Sequence, residues 1–407
     1  MNRFMSSRKK QLFMTYIPRR HFLKAASLSA LAGALPLVSK AIAHPDNMDP
    51  DKDSERIYFI NDGIFYRPAD YIQQLQLIQQ QHPITRDFYG TDGTLKELLD
   101  KCCEITGKEA AIYMPSGTLA NQLALQVLSG DHPKVMVQES SHVYRDEADA
   151  AQTVFNKRLV PLGKDQAAFT LEELKQAISW HKTEEAFEAP VGALSIETPV
   201  RRFSNTFFPL EDITAITAYC REQGIKTHLD GARLHISAAF TGNKVIDYTK
   251  NFDTVYLCLY KYLGAQGGAI LCGEKKVIDK MPHLLKVHGG GIFTNWGNAA
   301  MALHHLRDID GVLQASIKKA QALFKELNNI NGIKITARER GTNIFDLHFD
   351  KQTDTVKAAK WLREEKGIIV GQPQAYGASR MMVNPTILRR DNAAITTAFS
   401  TALRISS

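Results

Sequence analysis

The chain has 407 residues, of which 44% are hydrophobic and 23% are charged, a composition typical of soluble globular proteins. That length is sufficient for two domains. Its formal net charge of +7 arises in residues 1–43, which carry eight basic side chains and no acidic one. Of the 50 basic residues, 42 remain against 43 acidic ones, so the charge gives no reason to expect nucleic-acid binding, and we predict none. The five cysteines show neither a disulfide framework nor zinc-site spacing, so we predict no metal.

The first 43 residues have the pattern of an export signal. Arg19 and Arg20 precede a mildly apolar stretch at residues 25–38, and "AIA" at residues 41–43 forms a small-residue cleavage site. The arginine pair resembles the twin-arginine type of signal, whose machinery passes folded proteins. A chance basic N-terminus or an uncleaved anchor is the alternative, although the apolar stretch is shorter than the roughly 20 residues of a membrane span. We therefore expect twin-arginine export to the periplasm or medium, with no membrane segment in the mature form.

After a polar segment at residues 44–56, which we expect to be a loose arm, apolar runs alternate with helical patterns. Strands are predicted at residues 110–114, 134–138, 191–197, 225–230, 254–259 and 268–272. Helices are predicted at residues 118–128, 171–181 and 210–224. This alternation predicts an α/β fold, with a mostly parallel sheet between helices, over residues 44–299. Near residue 300 a long helical stretch begins and short strands follow, which predicts a smaller α+β domain over residues 300–407.

Residues with useful chemistry fall at the carboxyl ends of the predicted strands. Ser116 and Gly117 follow the first strand, and His142 comes after the second. Asp230 and Lys261 end two later strands. Because ligands bind at the carboxyl edge of open α/β sheets, we expect these residues to share one site.

The segment "MPSGTLANQ" at residues 114–122 reads as a strand, a short turn and the start of a helix. A helix N-terminus offers free backbone N–H groups and the positive end of the helix dipole, and the hydroxyls of Ser116 and Thr118 add donors. This arrangement suits a phosphate group. Ordinary helix capping by the same side chains is the alternative.

Two further motifs complete a cofactor hypothesis. In "THLDGARLH", residues 227–235, Asp230 could pair with a protonated ring nitrogen and Arg233 with an oxyanion or carboxylate, unless the two simply form a salt bridge. Lys261, placed 31 residues after Asp230, could form a Schiff base with a carbonyl, unless it is an ordinary surface lysine. A phosphate site, a partner for a pyridinium nitrogen and a reactive lysine are what pyridoxal 5'-phosphate requires. The sequence therefore predicts this cofactor, bound as a Schiff base on Lys261.

Several of these motifs also carry a family resemblance. Over roughly residues 57–390 the chain resembles the threonine aldolase branch of the aromatic amino acid β-eliminating lyase family, which consists of pyridoxal-phosphate enzymes of fold type I. The segments that carry the resemblance are "DFYGTDGT" (87–94), "PSGTLANQ" (115–122), "SHVYRDE" (141–147), "HLDGAR" (228–233), "LCLYKYLGA" (257–265), "GGG" (289–291) and "TN" (342–343).

The resemblance implies roles for the cofactor-binding residues. Ser116, Gly117 and Thr118 would bind the phosphate. Asp230 would keep the pyridine nitrogen protonated, which makes the ring an electron sink. Lys261 would hold the cofactor covalently.

The resemblance implies further roles around the cofactor. His142 would stack on the ring and act as a base or orient a water. Arg233 would lie near the cofactor's phenolic oxygen and the substrate carboxylate. Tyr89 would lie near the phosphate and reach toward a neighbouring subunit. Arg380 would clamp the substrate carboxylate, unless it is an ordinary arginine of the small domain, and Asn61 would contact the substrate.

The chain departs from the family pattern at positions that touch the substrate and the phosphate. The family's Ser-Asp-Thr is "NDG" at residues 61–63, and its Glu-Asn-Thr-His is "ETPV" at residues 197–200. Tyr260 replaces the serine before the lysine, and "IFTNWG" at residues 292–297 replaces a segment with an Arg-Gln pair. The cofactor is therefore better supported than the substrate.

Together these observations predict a lyase that cleaves a β-hydroxy amino acid to glycine and an aldehyde by a retro-aldol reaction, with His142 or a water that it holds as the base. The resemblance implies a homodimer or homotetramer. Two alternatives stay open. The same cofactor could serve β-elimination, racemisation or transamination, or the protein could bind amino acids after export without catalysis.

Overall fold

The structure, a computed structural model, describes residues 55–372 and 378–407. The predicted leader over residues 1–43 and residues 44–54 of the predicted arm lie outside the described residues. Within the part of the chain that is described, no helix is both long enough and apolar enough to cross a membrane.

The strands lie in three sheets and are numbered in chain order. They are β1 (Ile57–Tyr58), β2 (Ala110–Met114), β3 (Lys134–Gln138), β4 (Arg158–Leu162), β5 (Val191–Glu197), β6 (Lys226–Asp230), β7 (Thr254–Cys258), β8 (Ala269–Gly273), β9 (Ile333–Ala337), β10 (Ile344–Phe349), β11 (Ile368–Ile369) and β12 (Ala378–Met382).

The central sheet has seven strands in the order β2-β8-β7-β6-β5-β3-β4. Strand β8 runs antiparallel to both of its neighbours, and the other neighbouring pairs are parallel. The predicted α/β fold with a mostly parallel sheet is therefore confirmed, and six of these strands coincide with predicted strands to within one residue. Strand β4 is not predicted because it contains Pro161, which lacks a backbone N–H. Proline is tolerated there because β4 is an edge strand.

Helices cover both faces of the central sheet and build most of the C-terminal region. The α-helices of the described residues are Pro68–Gln81, Gly93–Thr106, Gly117–Ser129, His142–Arg145, Ala150–Phe155, Leu171–Thr183, Leu210–Glu222, Leu234–Thr241, Val245–Thr249, Lys275–Ile278, Met281–Val287, Trp296–Leu306, Ile309–Leu327, Thr355–Lys366 and Asn392–Ser406. Short 3₁₀ turns lie at Arg201–Phe203 and Pro385–Arg389.

The sheet is apolar on both faces because alternate residues of a strand point to opposite sides. In β7, Val255 and Leu257 belong to one core cluster, whereas Tyr256 and Cys258 belong to another. The second cluster includes Leu123 of the Gly117–Ser129 helix. Burial on both faces explains why these strands read as continuous apolar runs in the sequence.

The C-terminal region has a core of its own. Strands β12, β10 and β9 form an antiparallel sheet, and β11 pairs in parallel with β1 from the start of the described chain. Phe59 is fully buried in this core, and its backbone bonds to Ile369 and Met382. The N-terminal strand therefore packs with the C-terminal region. The domain boundary predicted at residue 300 falls inside the Trp296–Leu306 helix, and the division into domains stays a prediction.

Replacing Phe59 with alanine should lower the free energy of unfolding by about 3–5 kcal/mol, because it leaves a cavity in this C-terminal core. Chemical denaturation of both proteins measures the difference. Phe65→Ala is the matched control, since Phe65 is 52% exposed and its truncation should cost little. Equal effects of the two substitutions would contradict the placement of Phe59.

Candidate active site

Lys261 lies just after β7 in a turn closed by a hydrogen bond from Leu259 N–H to the Gly268 carbonyl, 3.1 Å. Its side chain is mostly buried, and no residue within 55–372 or 378–407 forms a hydrogen bond or ion pair with its amine. Burial lowers the pKa of Lys261, and the positive charge of Arg233 lowers it further. A buried amine without a partner is unusual, and its lowered pKa makes it a better nucleophile.

Asp230 ends β6, and its carboxylate is buried. One oxygen accepts a hydrogen bond from the backbone N–H of Ala232 at 3.1 Å, and the other accepts from Asn121 Nδ2 at 2.9 Å. Asn121 comes from the Gly117–Ser129 helix and is fully buried. Two donors thus hold the anion at the carboxyl edge of the sheet, where the sequence analysis expects it.

His142 lies in the same cluster, and its imidazole ring contacts a carboxyl group. Its Nδ1 lies 2.9 Å from Glu147 Oε1, and the same oxygen accepts from Asn121 Nδ2 at 2.8 Å. Burial lowers the pKa of His142, but the hydrogen bond to Glu147 and the charge of Asp230 outweigh burial, so the net pKa is raised. The imidazole is about one-third exposed, so Nε2 is left for a ligand. This histidine–carboxylate pair is suited to accepting a proton.

A third buried carboxyl group, Glu197, ends β5 beside Asp230. It accepts backbone N–H groups from His142 at 2.6 Å and Arg201 at 3.0 Å. Burial, and then the negative charge of Asp230, raises the pKa of Glu197 to about 7. Burial, and then the charge of Asp230, also raises the pKa of Glu147, although the hydrogen bond to His142 opposes that rise. Both glutamates are therefore easier to protonate than an ordinary exposed glutamate.

The start of the Gly117–Ser129 helix forms an open polar cradle. Ser116 caps the helix, with its Oγ accepting from Leu119 N–H at 3.2 Å. Among the described residues, nothing accepts from the N–H groups of Gly117 and Thr118. A Cβ at position 117 would lie 2.2 Å from the Tyr256 hydroxyl, so only glycine fits there. The Ser116 cap and the free N–H groups coexist, and the free groups can bind an anion, so the phosphate role of this segment stays a prediction.

Arg233 is paired with a residue that the sequence analysis assigns no role. Its Nε donates to Asp62 Oδ2 at 2.8 Å, and both side chains are buried. The salt bridge with Asp230 considered from the sequence is therefore not formed. The neighbouring Gly63 packs against the lysine turn, where a Cβ would lie 2.7 Å from the Lys261 carbonyl oxygen. In the "NDG" segment, Asp62 holds the arginine and Gly63 permits the close approach of the two backbones.

Three predicted site residues form their contacts elsewhere in the described structure. Tyr89 is 61% exposed, and its ring meets Phe293 edge to face at 5.5 Å between centroids. The backbone carbonyl of Asn61 accepts a hydrogen bond from Asn384 Nδ2 at 2.8 Å. Arg380 lies on β12 with a buried, unpartnered Nε. No hydrogen bond, ion pair or ring contact between described residues joins any of the three to Lys261 or His142, so their roles stay predictions.

The sequence analysis missed the roles of Asn121, Glu147 and Asp62. Asn121 follows Gly117 by four positions, which places both on one face of the helix. That spacing is a signal that a polar residue one turn inside a phosphate-binding helix can reach the same ligand. The role of Asp62 has no such signal, because Asp62 and Arg233 are 171 positions apart.

Comparison with known proteins agrees with this geometry. The model of the beta-eliminating lyase family matches residues 75–350. The chain belongs to the beta-eliminating lyase family. It is 35% identical over 218 residues to the low-specificity L-threonine aldolase of Candida albicans, covering 53% of this chain and 58% of that one. It is 27% identical over 316 residues to low-specificity L-threonine aldolase 1 of Arabidopsis thaliana, covering 75% and 85%.

The structural comparison extends the match to most of the chain. The threonine aldolase of Leishmania major superposes with a TM-score of 0.67 at 17% identity, covering 86% of this chain and all of that one. At such low identity this likeness shows the fold of the beta-eliminating lyase family and not the reaction. The chain spans a little more than half the length of the fungal relative.

For a member of the beta-eliminating lyase family, the cluster fits pyridoxal phosphate better than a metal ion. Ligand atoms of His142, Glu147 and Asp230 lie within 4.8 Å of one another, which a cation would require. However, the amide N–H₂ of Asn121 donates to both carboxylates and points its positive hydrogens into that space. A protonated ring nitrogen beside Asp230, a phosphate at Gly117 and an aldehyde at Lys261 would use groups that the structure leaves available.

Glu197 should make the stability of the protein depend on pH. Its carboxyl group ionises near 4.5 in the unfolded chain and near 7 in the folded one, so its contribution is greatest at low pH and is lost as the pH rises to about 7. The loss should be on the order of 3 kcal/mol. Urea unfolding at about pH 5 and about pH 7.5 should show a larger decrease in the wild type than in Glu197→Gln, because the variant keeps the raised pKa values of Glu147 and His142.

Glu173→Gln is the control for the Glu197 experiment. Glu173 also accepts a backbone N–H, from Gly163 at 2.6 Å, but is only partly buried on the Leu171–Thr183 helix. This variant should keep the wild-type dependence on pH. A wild type and Glu197→Gln that differ by the same amount at both pH values would contradict the shifted pKa of Glu197.

Proposed function

We propose that the protein is a pyridoxal-phosphate-dependent lyase that cleaves a β-hydroxy amino acid, such as threonine, to glycine and an aldehyde. The observation that carries this proposal is the amine of Lys261, which is mostly buried, has no partner among the described residues and lies close enough to Asp230 for the charge of that carboxylate to act on its pKa. The threonine aldolase names of the matched relatives support the same reaction.

Each part of the cofactor would have a partner in the site. The N–H groups of Gly117 and Thr118, with the Ser116 hydroxyl, would hold the phosphate at the helix N-terminus. Asp230 would hold the proton on the ring nitrogen, and Lys261 would bind the aldehyde carbon. When bound, the cofactor supplies an electron sink for the charge that develops at the α-carbon of the amino acid.

His142 is the proposed base. Because Glu147 occupies Nδ1, Nε2 is the atom that accepts the proton from the β-hydroxyl of the substrate. Glu147 then stabilises the positive imidazolium through the same hydrogen bond. Loss of the hydroxyl proton lets the bond between the α- and β-carbons break, which releases the aldehyde.

Arg380 is the better candidate for the substrate carboxylate. The Nε of Arg233 is engaged by Asp62, whereas the guanidinium of Arg380 has no hydrogen bond or ion pair within the described residues. A guanidinium with free donors can bind a carboxylate through two parallel hydrogen bonds. Arg233 then acts as a fixed positive charge near Lys261, consistent with its effect on the pKa of that lysine.

We also propose that the protein assembles as a homodimer or homotetramer. Phe88, Tyr89, Phe293 and Trp296 are between 39% and 61% exposed, and the rings of Phe88 and Tyr89 both pack on Phe293. Clustered exposed aromatic residues are typical of protein interfaces. A second copy of the chain placed here would bury Tyr89, the residue that the family resemblance assigns to a shared site.

Lys261→Ala should abolish both the visible absorption band of the cofactor-bound protein and the release of acetaldehyde from L-threonine. Borohydride reduction of the wild type should add the mass of the reduced cofactor to the peptide that contains Lys261. Lys276→Ala is the control, because Lys276 is exposed, lies after the end of β8 and pairs with Glu274.

The outcomes of this experiment separate the parts of the proposal. Cofactor mass on Lys261 without acetaldehyde would keep the cofactor and refute the aldolase reaction on threonine. A product screen with other amino acids would then test elimination, racemisation and transamination. A wild type that never takes up pyridoxal phosphate would refute the cofactor site, and amino-acid binding by both proteins would favour the non-catalytic alternative.

We further propose export by the twin-arginine machinery, based on Arg19, Arg20 and the "AIA" segment. Export of the folded protein would let pyridoxal phosphate be loaded in the cytoplasm and stay bound. Replacing both arginines with lysine should leave the protein uncleaved in the cytoplasm, because lysine lacks the planar fork of the guanidinium. Cell fractionation measures this, with Arg8→Lys as the control. Unchanged export of the double variant would contradict the proposal.

A further inference from the structure

A buried chain of hydrogen bonds leads from the cofactor site into the sheet. Asn121 Nδ2 donates to Asp230 Oδ2 and to Glu147 Oε1, at 2.9 and 2.8 Å. Asn121 Oδ1 lies 3.0 Å from His228 Nε2, and His228 Nδ1 lies 2.8 Å from Thr254 Oγ1. Asn121, His228 and Thr254 are completely buried, so water does not compete for these bonds.

The direction of every bond in this chain is fixed by the two carboxylates. Carboxylate oxygens only accept, so Asn121 must turn its N–H₂ group toward Asp230 and Glu147. Its Oδ1 then faces His228, whose Nε2 must donate. Burial lowers the pKa of His228 to about 4, so the neutral ring has one proton, and Nδ1 accepts from the Thr254 hydroxyl. A flipped Asn121 would direct an oxygen at two acids and leave both of them without its donor.

We infer that Asn121 is a positioning residue for the ring nitrogen of the cofactor, acting through Asp230, with His228 and Thr254 holding the orientation of its amide. The inference rests on the proposed function. Asn121 supplies the only donor to Asp230 Oδ2 among the residues the structure describes. The same N–H₂ group holds Glu147 behind His142, so one amide sets the distance between the ring-nitrogen partner and the proposed base.

The position of the Asn121 amide is set by the helix that carries it. Asn121 lies four residues after Gly117, just over one helical turn, so the helix that presents N–H groups to a phosphate also holds Asp230. A cofactor bound at both ends would therefore have its phosphate and ring nitrogen fixed relative to one rigid helix. The spacing matters because small displacements of a reacting group reduce the rate strongly.

The test compares two cofactors on the apoprotein. One is pyridoxal phosphate, and the other is its 1-deaza analogue, in which a C–H replaces the ring nitrogen. Both are titrated by absorbance into wild type, Asn121→Ala and Thr254→Val. If Asn121 acts through Asp230 and the ring nitrogen, Asn121→Ala should weaken pyridoxal phosphate at least about tenfold, the size of a hydrogen bond to a charged group. Binding of the deaza analogue should change less than about twofold, because it has no ring proton for Asp230 to hold.

Thr254→Val provides a second, milder variant. It keeps the shape of the side chain and removes only the hydroxyl at the far end of the chain, so it is expected to fold even where Asn121→Ala does not. Like Asn121→Ala, it should weaken the binding of pyridoxal phosphate more than that of the deaza analogue, but by a smaller factor. Ser129→Ala is the matched control. Ser129 is buried on the same helix, and among the described residues its hydroxyl bonds only to the Leu125 carbonyl, so its loss should not discriminate between the cofactors.

The outcomes are distinguishable. Equal weakening of both cofactors in Asn121→Ala and Thr254→Val would mean that the chain only supports the fold, and would overturn the inference while leaving the proposed function intact. No weakening of either would overturn it as well. A wild type that binds neither cofactor would refute the proposed function itself, and this inference with it.

Discussion

Asp230 is an acid buried at the carboxyl edge of the central sheet, and a buried anion without donors costs several kcal/mol. The surrounding structure meets that cost with two donors, the Ala232 N–H and the amide of Asn121, while burial and the charge of Asp230 raise the pKa values of Glu147 and Glu197. The two donors keep the Asp230 carboxylate where a protonated ring nitrogen would use it. The other polar contacts of the site can be understood as support for that one charge.

The Gly117–Ser129 helix connects this charge to the rest of the fold. It packs its apolar side, including Leu123, on the sheet face that also holds Tyr256 and Cys258. The tight fit of Gly117 against the Tyr256 hydroxyl sets the depth at which the helix begins. The end of the helix that offers free N–H groups and the side chain that holds Asp230 are therefore positioned by ordinary core packing. Site geometry and stability depend on the same contacts.

The lysine turn depends on a segment from the start of the described chain. Residues 57–59 are held in the C-terminal core, and the chain then brings Asp62 to Arg233 and Gly63 to the backbone of Lys261. Arg233 in turn lowers the pKa of the amine. Contacts in the C-terminal core are thus linked to the reactivity of Lys261 through Asp62, Gly63 and Arg233. This link gives Gly63, a departure from the family pattern, a structural reason, because a Cβ there would collide with the lysine turn.

Much of the fold could be predicted from the sequence, because strands buried on both faces are short apolar runs and helices repeat at 3.6 residues. The strand ends that carry Gly117, His142, Asp230 and Lys261 were identified, since parallel strands bring their carboxyl ends to one edge. The pairing of Arg233 with Asp62, the links of Asn121 to two acids and the unpartnered state of Lys261 were decided by the tertiary structure alone. The contacts of Arg233 and Asn121 join side chains that are distant in the sequence, and local patterns carry no information on which polar group will satisfy another, or leave Lys261 without a partner, once water is removed.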